Sequence, residues 1–398
     1  MKILVICQHY WPENFRITEI CEDLVSRGHE VTALVGLPNY PTGIVPKEYK
    51  KFQNRRQERN GVKIRRCFEI GRKPSKIGLA INYVSYMTSA SVKALLMKRD
   101  YDVIYAYSTS PVLMSLPASL LRCFTKKKLM IYVLDIWPAC LAAMNVKENS
   151  LFYRCMTHVS KWVYQKADVL IYSSKRFQKY LLDVHHLHVG DDQYMPQFAD
   201  DIFDGELPQK ELSSEINLIF AGNIGKVQAV EVLIEAAQLL KDEPIRWHIV
   251  GEGSNYETCI QLAKDLQVDH VVTFYGRRPL SDMPSFYAMA DAMLVSMRND
   301  VSVNDTLPGK VQSYMAAGKP VLGSIAGETP YIIEKANCGY CAPAEDAEAF
   351  AKVVRQFISD PERNVMGDRG RDYYQAHFTK KDHMDKLEEM LTSLAGGR

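Results

Sequence analysis

INLIFAGNIGKVQAVEVLIEAAQLL, Ile216 to Leu240, is the stretch whose reading decides the fold. Its first six residues, Ile216–Ala221, are apolar apart from Asn217, the composition of a short strand covered on both faces. Glycines at 222 and 225 then mark a tight loop, and from Val230 to Leu240 apolar side chains recur at helical spacing. Strand, glycine loop and helix in that order make the front half of a βαβ unit, the building block of a parallel sheet.

The pattern repeats on both sides. Downstream, strands are expected at Trp247–Val250, Val271–Phe274, Ala292–Ser296 and Pro320–Gly323, with helices at Tyr256–Leu266, Met283–Met289, Lys310–Ala317 and Ala347–Ile358. Upstream, Lys2–Cys7 is an apolar run, Ile17, Ile20, Cys21, Leu24 and Val25 recur at helical spacing, Gly28 stops that helix, and Glu30–Val35 is the next strand. Further apolar runs at Asp102–Tyr107, Leu129–Leu134 and Asp168–Tyr172 alternate with helix-like stretches such as Pro111–Phe124 and Leu151–Gln165. The acidic, turn-rich segment VGDDQYMPQFADDIFDGELP, Val189–Pro208, separates the two series as a linker. A chain of 398 residues is also longer than a single core usually supports. The expectation is an α/β chain of two doubly wound, Rossmann-like halves facing one another across a cleft, with ligands at the carboxyl ends of the strands.

Charge excludes some functions. A net charge of +2 gives no footprint for nucleic acid. Yet Pro46–Arg99 holds fifteen Lys or Arg against three Glu, a local balance of +12 that leaves −10 for the rest of the chain. Its first part, Lys47–Lys76, with RRQER at 55–59, KIRR at 63–66 and RKPSK at 72–76, is followed by a helix-like stretch, Ile77–Met97, carrying Leu79, Tyr83, Tyr86, Met87, Leu95 and Leu96. Basic residues beside apolar and aromatic ones suit a protein resting on an anionic membrane; a solvated loop before an ordinary packed helix is the alternative. Nine cysteines without a repeating spacing argue against a disulfide framework and for a reducing, cytoplasmic compartment. Cys338 and Cys341 in NCGYC have redox-motif spacing, but they sit in a strand-like segment before Pro343, where buried thiols are ordinary small apolar residues. MKILVIC at the start is too short for a signal peptide's apolar region, and no run reaches the ~20 apolar residues of a membrane span.

The glycines after the second-half strands carry the chemistry. AGNIGK at 221–226, VGEGSN at 250–255 and YGRRP at 275–279 each follow a strand, placing Gly222, Asn223, Gly225, Gly251, Gly253 and Gly276 at strand ends. Glycine there lets backbone approach a ligand closely, and amides near a helix start favour phosphate oxygens. With Lys226, Arg277, Arg278 and Lys310 nearby in sequence, a diphosphate-bearing ligand is the economical reading. No GxxxxGK[ST] or GxGxxG occurs, so neither a P-loop nor a dinucleotide fingerprint is present, and no DxD pair stands where a metal would bridge phosphates. Amides and basic side chains must then neutralise the diphosphate.

Taken together, YWPENFR at 10–16, SRGHEVTAL at 26–34, LDIWPACL at 134–141, FAGNIGKVQAVEVLIEAA at 220–237, FYGRRPLSDMPSFYAMADAMLV at 274–295, LPGKVQSYMAAGKPV at 307–321 and EKANCGYCAP at 334–343 resemble a known family. The chain resembles the retaining glycosyltransferases of GT-B architecture in family four, and within it the bacterial surface-polysaccharide transferases of the L-fucosamine type. The resemblance implies an acceptor-binding domain over 1–195, a nucleotide-sugar domain over 196–378, and a final helix within 379–398 crossing back onto the first. It implies a nucleoside diphosphate sugar donor, usually linked to UDP, no metal and no cofactor, and a saccharide or polyprenyl-pyrophosphate-linked acceptor at the inner face of the cell membrane. Donors aimed at the leaving diphosphate act catalytically, with Lys226, Lys310 and backbone amides near Thr306 and Gly225 as candidates; solvated helix-start lysines are the alternative.

The family's two glutamates eight positions apart, one by the donor sugar and one on the ribose, fall on Asp305 and Ser313 when AAGKPV is aligned. A serine exchanges a hydrogen bond with a ribose hydroxyl but gives no charge-assisted pair. Glu328 in GSIAGETP is placed to supply a carboxylate instead, or to cap its own loop. Asn14 and Phe15 stand where relatives carry two glycines by the donor phosphates. His9 and Asp135 lie at strand ends on the acceptor side, where Asp135 is placed to orient or deprotonate the attacking hydroxyl, or to cap a turn. Front-face attack assisted by the donor's phosphate needs no protein base. A nucleotide-sugar epimerase and a catalytically silent sugar-nucleotide-binding module are the other classes compatible with the sequence.

Overall fold

The structure is a computed structural model that describes residues 1–73, 75–144, 146–203, 205, 207–209, 213–299 and 305–396. Of the segment read as a linker, Asp204 and Glu206 lie outside the described residues. The chain divides into two compact units, Met1–Met195 with Met384–Arg398, and Pro196–His383.

The first unit is built on β1 (Lys2–Ile6), β2 (Glu30–Val35), β3 (Arg56–Arg59), β4 (Val62–Arg66), β5 (Val103–Ser108), β6 (Lys128–Val133) and β7 (Val169–Tyr172). They form one sheet in the order β3-β4-β2-β1-β5-β6-β7, parallel throughout except where β3 runs against β4. Leu4, Ile104, Leu129 and Ile131 from its strands pack with Ala118, Leu121 and Val163 from helices Leu116–Phe124 and Leu151–Gln165. Burial on both faces is why these strands read as unbroken apolar runs.

The β3–β4 hairpin corrects one of the two alternatives for Lys47–Lys76, a solvated basic loop. Its turn residues, Asn60 and Gly61, both have positive φ, 45° and 79°, the backbone that matches the twist of two joined strands. Arg56 and Arg65 stand opposite one another on it, so part of the positive charge lies on the outermost strand pair of the sheet.

The second unit holds β8 (Ile216–Ala221), β9 (Ile245–Val250), β10 (Val272–Gly276), β11 (Ala292–Ser296), β12 (Val321–Ser324) and β13 (Gly339–Ala342), all parallel, in the order β10-β9-β8-β11-β12-β13. Counted along the chain this is the doubly wound order 3-2-1-4-5-6, whose direction of winding reverses between β8 and β11. Both units therefore have the α/β, Rossmann-like architecture expected. Helices Lys175–His185, Glu328–Ala336 and Arg363–His377 were not foreseen from the sequence. The last helix, Lys380–Gly396, has its residues from Met384 onward in the first unit, where Asp385 and Glu388 accept hydrogen bonds from Arg27 at 2.7 and 3.0 Å. The nine cysteines are free, and burial pushes the Cys338 and Cys341 thiols up to about 12, so neither is a thiolate near neutral pH.

Candidate active site

In the second unit three glycine loops meet edge to edge beyond the strand ends. The Gly222 amide donates to Val250 O, Ile224 to Glu252 O, Asn255 to Ile224 O and Gly251 to Gly276 O, each at 2.9 Å. The closest approaches that the glycines permit are between loops. A Cβ on Gly251, whose φ is +139°, would stand 1.8 Å from Gly222 O, and one on Gly253 would stand 2.3 Å from Ile224 O. Gly222, at φ +142°, has a different neighbour: its added Cβ would lie 3.0 Å from the ammonium nitrogen of Lys310.

Lys310 enters from the first turn of helix Gly309–Ala316. Its stem is partly exposed, but Nζ is shut off from solvent and has no hydrogen-bond partner among the described residues. The nitrogen lies 3.7 Å from the centroid of the Phe220 ring, whose π face offsets part of the cost of burying a cation. Burial pulls its pKa down to about 7. A half-charged ammonium below a glycine loop, at the carboxyl end of the strand where the sheet reverses, is a seat for an anion.

The other expected contacts distribute unevenly. Lys226 is exposed at the start of a short turn, Lys226–Gln228. The Gly225 amide donates to Gln228 Oε1 at 3.1 Å and is not open to a phosphate as it stands, whereas exposed Asn223 Nδ2 donates one hydrogen to the same oxygen at 2.9 Å and carries a second. Arg277 is exposed and pairs with Glu252 at 3.3 Å. The Ser313 side chain is buried, and its hydroxyl donates back to Gly309 O at 3.3 Å, one helical turn earlier. Glu328 is buried in the first turn of helix Glu328–Ala336, where the helix dipole favours a carboxylate; Gly327, not Glu328, occupies the cap. Asp305 and Thr306 are partly exposed at the edge of the described residues.

Sequence reasoning missed two parts of this half. Tyr314 donates to Ala221 O at 3.1 Å and accepts from the Ala221 amide at 3.3 Å, fixing the helix that carries Lys310 to the end of β8. Arg298, exposed after β11, has its amide on Val227 O at 2.9 Å, while Ser296 donates to Gln228 O at 2.7 Å. The Arg298 guanidinium after the fourth strand was visible as SMRND at 296–300, without a motif to flag it.

The first unit gathers carboxylates at its strand ends. His9 Nδ1 meets Glu13 Oε2 at 2.8 Å, and Glu13 Oε1 accepts the Asn39 and Tyr40 amides, each at 2.6 Å. The His9 ring stacks on Phe15 with centroids 4.6 Å apart, and Tyr40 meets both edge-on. Beside a carboxylate Nδ1 carries the proton, which leaves Nε2 as the atom His9 has to offer. Phe15 thus packs against the His9 and Tyr40 rings, and Asn14 next to it is exposed. Asp135 sits after β6, partly exposed, and accepts the Ser110 amide at 2.8 Å; its surroundings raise its carboxyl above the usual range, against the pull of Ser110. It ties two loops together rather than capping its own turn.

Glu69, also missed, is the centre of this half. It accepts Gln8 Nε2 and Asn82 Nδ2 at 2.7 Å, Asn39 Nδ2 at 3.0 Å and the Leu37 amide at 3.1 Å. Burial nonetheless lifts its carboxyl to about 7. Among the described residues no three His, Cys, Asp or Glu side chains gather as metal ligands.

Two family models account for most of the chain. The Glycosyl transferase 4-like domain matches residues 14–189, and the Glycosyl transferases group 1 model matches residues 205–373. The chain belongs to the glycosyltransferases these models describe, of the GT-B type, and is an enzyme of that class. It is 24% identical to WbjE of Pseudomonas aeruginosa, assigned as a glycosyltransferase, over 80% of each chain. It is 23% identical over the whole of both chains to WcaI of Escherichia coli K12, a glycosyl transferase assigned to colanic acid biosynthesis. Among solved structures, sucrose-phosphate synthase of Thermosynechococcus elongatus superposes with a TM-score of 0.77 at 17% identity, covering 99% of this chain and 98% of that one. HepE of Anabaena, solved in complex with UDP-glucose, gives 0.69 at 16%, covering 99% and 100%.

Proposed function

We propose that this enzyme moves a sugar from a nucleoside diphosphate sugar, UDP-linked, to a hydroxyl of a saccharide or polyprenyl-pyrophosphate-linked acceptor in bacterial surface-polysaccharide synthesis, with retention at the anomeric carbon. The Lys310 ammonium beneath Gly222 is the observation that carries the reading. It is a buried cation with no partner among the described residues, placed where a doubly wound sheet takes its ligand. HepE, of the same fold, was solved with UDP-glucose, and WcaI is assigned to colanic acid biosynthesis, which supports the donor and acceptor classes.

In this reading the second unit holds the donor. As the bond from C1 to the β-phosphate oxygen breaks, charge builds on the departing diphosphate, and Lys310 stabilises it more in the transition state than in the ground state. The acceptor oxygen forms its bond to C1 on the same face, and its proton passes to the departing phosphate oxygen. The first unit presents the acceptor: His9 Nε2, held by Glu13, and Asp135 orient its hydroxyl. Exposed Lys226 and Arg298 add to the field over the phosphates, and Asp305, Thr306 and Glu328 stand nearest the sugar and ribose.

The test is product analysis with a panel of UDP-sugars and with free and lipid-linked saccharide acceptors. A new glycoside with the donor's anomeric configuration, read from its proton coupling, is the expected result. An isomerised donor, or binding without turnover across the panel, would overturn it.

A further inference from the structure

Helix Lys76–Leu96 carries large apolar side chains on its outer face. Its buried residues are Gly78, Asn82, Tyr86, Ala90, Ser91 and Ala94, a face of mostly small and polar side chains around the Tyr86 ring, in which Asn82 Nδ2 donates to Glu69 and Ile70 O, both at 2.7 Å. Leu79 and Leu95 are half-buried, with Leu95 packed on the core, but the other large aliphatic residues are exposed. Ile77, Ile81, Val84, Val92 and Leu96 recur every three to eight residues along one exposed stripe, with Ile77 at 75% and Leu96 at 82% of full exposure. A surface helix ordinarily turns its aliphatic stripe toward the core. Here the stripe lines an open groove of about 1020 Å³ together with Phe52 and Phe68, which are themselves exposed at 79% and 50%.

We infer that this face seats on an anionic lipid bilayer, with the aliphatic stripe in the acyl boundary and the surrounding cations at the headgroups. The charge around the groove selects that occupant. Arg55 and Lys93 line it; Arg56, Arg65 and Lys98 flank its Leu96 end; Lys73 and Lys76 precede Ile77. From Ile70 to Arg99 the chain has six basic residues and no Asp or Glu. The nearest acids at the Leu96 end, Asp100 and Glu30, are paired with Lys2 and Lys63 at 3.0 and 3.3 Å. A second copy of the chain docking on the same face would set cation against cation, whereas anionic headgroups answer both the apolar stripe and its rim. Among the described residues no helix is long and apolar enough to cross a membrane, so this is contact in the plane of the surface. The inference stands whether or not the sugar-transfer reading does, because it rests on a different face of the first unit's sheet and helices.

The test uses the full chain and vesicles of phosphatidylcholine alone or mixed with phosphatidylglycerol. Cosedimentation with the mixed vesicles, weakened by salt and absent with phosphatidylcholine alone, is expected. The double variant Ile81→Glu, Val84→Glu, made at exposed positions, loses roughly tenfold or more of that binding with an unchanged thermal midpoint. Lys73→Glu with Lys76→Glu weakens it by a smaller factor. Failure to bind the mixed vesicles, or equal binding by the Ile81→Glu, Val84→Glu variant, would overturn the inference. So would sedimentation velocity showing a dimer that this variant splits, since the occupant is then a second copy.

Discussion

The two sets of strand ends answer the same problem, a buried charge, in opposite ways. In the first unit Glu13 and Glu69 together accept seven hydrogen bonds or ion pairs from neighbouring loops and from helix Lys76–Leu96, so their oxygens are met within the fold. In the second unit Lys310 meets only a ring face among the described residues. A satisfied carboxylate fixes loops, which suits an acceptor surface whose work is positioning. A cation left without a partner is a cost in the empty protein that a bound anion removes. The glycine loops show the same contrast within one unit, since Gly251 and Gly253 serve packing between loops while Gly222 makes room for the ammonium.

The sharpest way to break this comparison is Lys310→Met. Removing the buried charge keeps most of the volume, so UDP-sugar affinity falls by about a hundredfold or more, the usual loss for one partner of a buried charge pair. The ligand-free protein moves the other way. A lysine whose pKa drops to about 7 on folding destabilises the fold at every pH below its unfolded value near 10.5, most fully below 7. The Met variant therefore gains thermal midpoint at neutral pH, by about 2 to 4 °C per kcal/mol relieved. Differential scanning with and without UDP-sugar reads both effects; a less stable apo variant would show that Lys310 is structural.

Glu13→Gln tests the other side. It removes the charge that orients His9 and sets amide hydrogens against one of its present donors, so kcat falls by roughly tenfold, less than the ~10²–10⁴ that a positioned acid or base group itself supplies because His9 remains in place, while UDP-sugar affinity measured by calorimetry stays put. An equal loss in donor affinity would place His9 and Glu13 with the donor.

The pH dependence of donor binding is a smaller effect with a definite sign. A UDP-sugar has no phosphate proton to lose near neutrality, whereas Lys310 does, and a bound diphosphate raises its pKa. Affinity is therefore greatest below pH 7 and declines above it, by up to about tenfold per pH unit while the bound ammonium stays charged. Calorimetry in buffers of different ionisation heat should show proton uptake at pH 8 and almost none at pH 6.

The fold was legible because parallel strands buried on both faces leave continuous apolar runs: Ala292–Ser296 and the helices Leu151–Gln165 and Met283–Met289 match the sequence reading to the residue. What escaped was structure whose apolar signal is sparse or interrupted. Helix Arg363–His377 buries Gly367 and Gly370 between Met366 and Tyr374, and a Cβ at Gly367 would stand 2.1 Å from Gly318 O, so the apolar signal of its inner face is sparse. Helix Glu328–Ala336 hides behind Pro330 in its first turn, and the β3–β4 hairpin behind the charges of RRQER, though its Asn60-Gly61 turn was in view. At the site, Lys310 was singled out from its neighbourhood of glycines, but its burial was not, because Phe220 and Gly222 lie nearly ninety positions away. Glu69 went unnoticed for the same reason: its partners come from positions 8, 37, 39 and 82.

Lys226 and Lys310 were equal candidates in the sequence, and the structure separates them by environment. Lys226 stands in solvent, where its field on a diphosphate is weakened by water and by salt; Lys310 acts from a site of low dielectric. Lys226→Ala should therefore weaken UDP-sugar binding only about two- to fivefold, the scale of an exposed ion pair, and the loss should vanish as salt is raised, while the loss from Lys310→Met persists. If both variants lose affinity alike, and both losses persist in high salt, then Lys226 swings into the phosphates on binding and the exposed turn Lys226–Gln228 closes over the donor, which a protected Gln228 amide in hydrogen exchange with bound UDP would register.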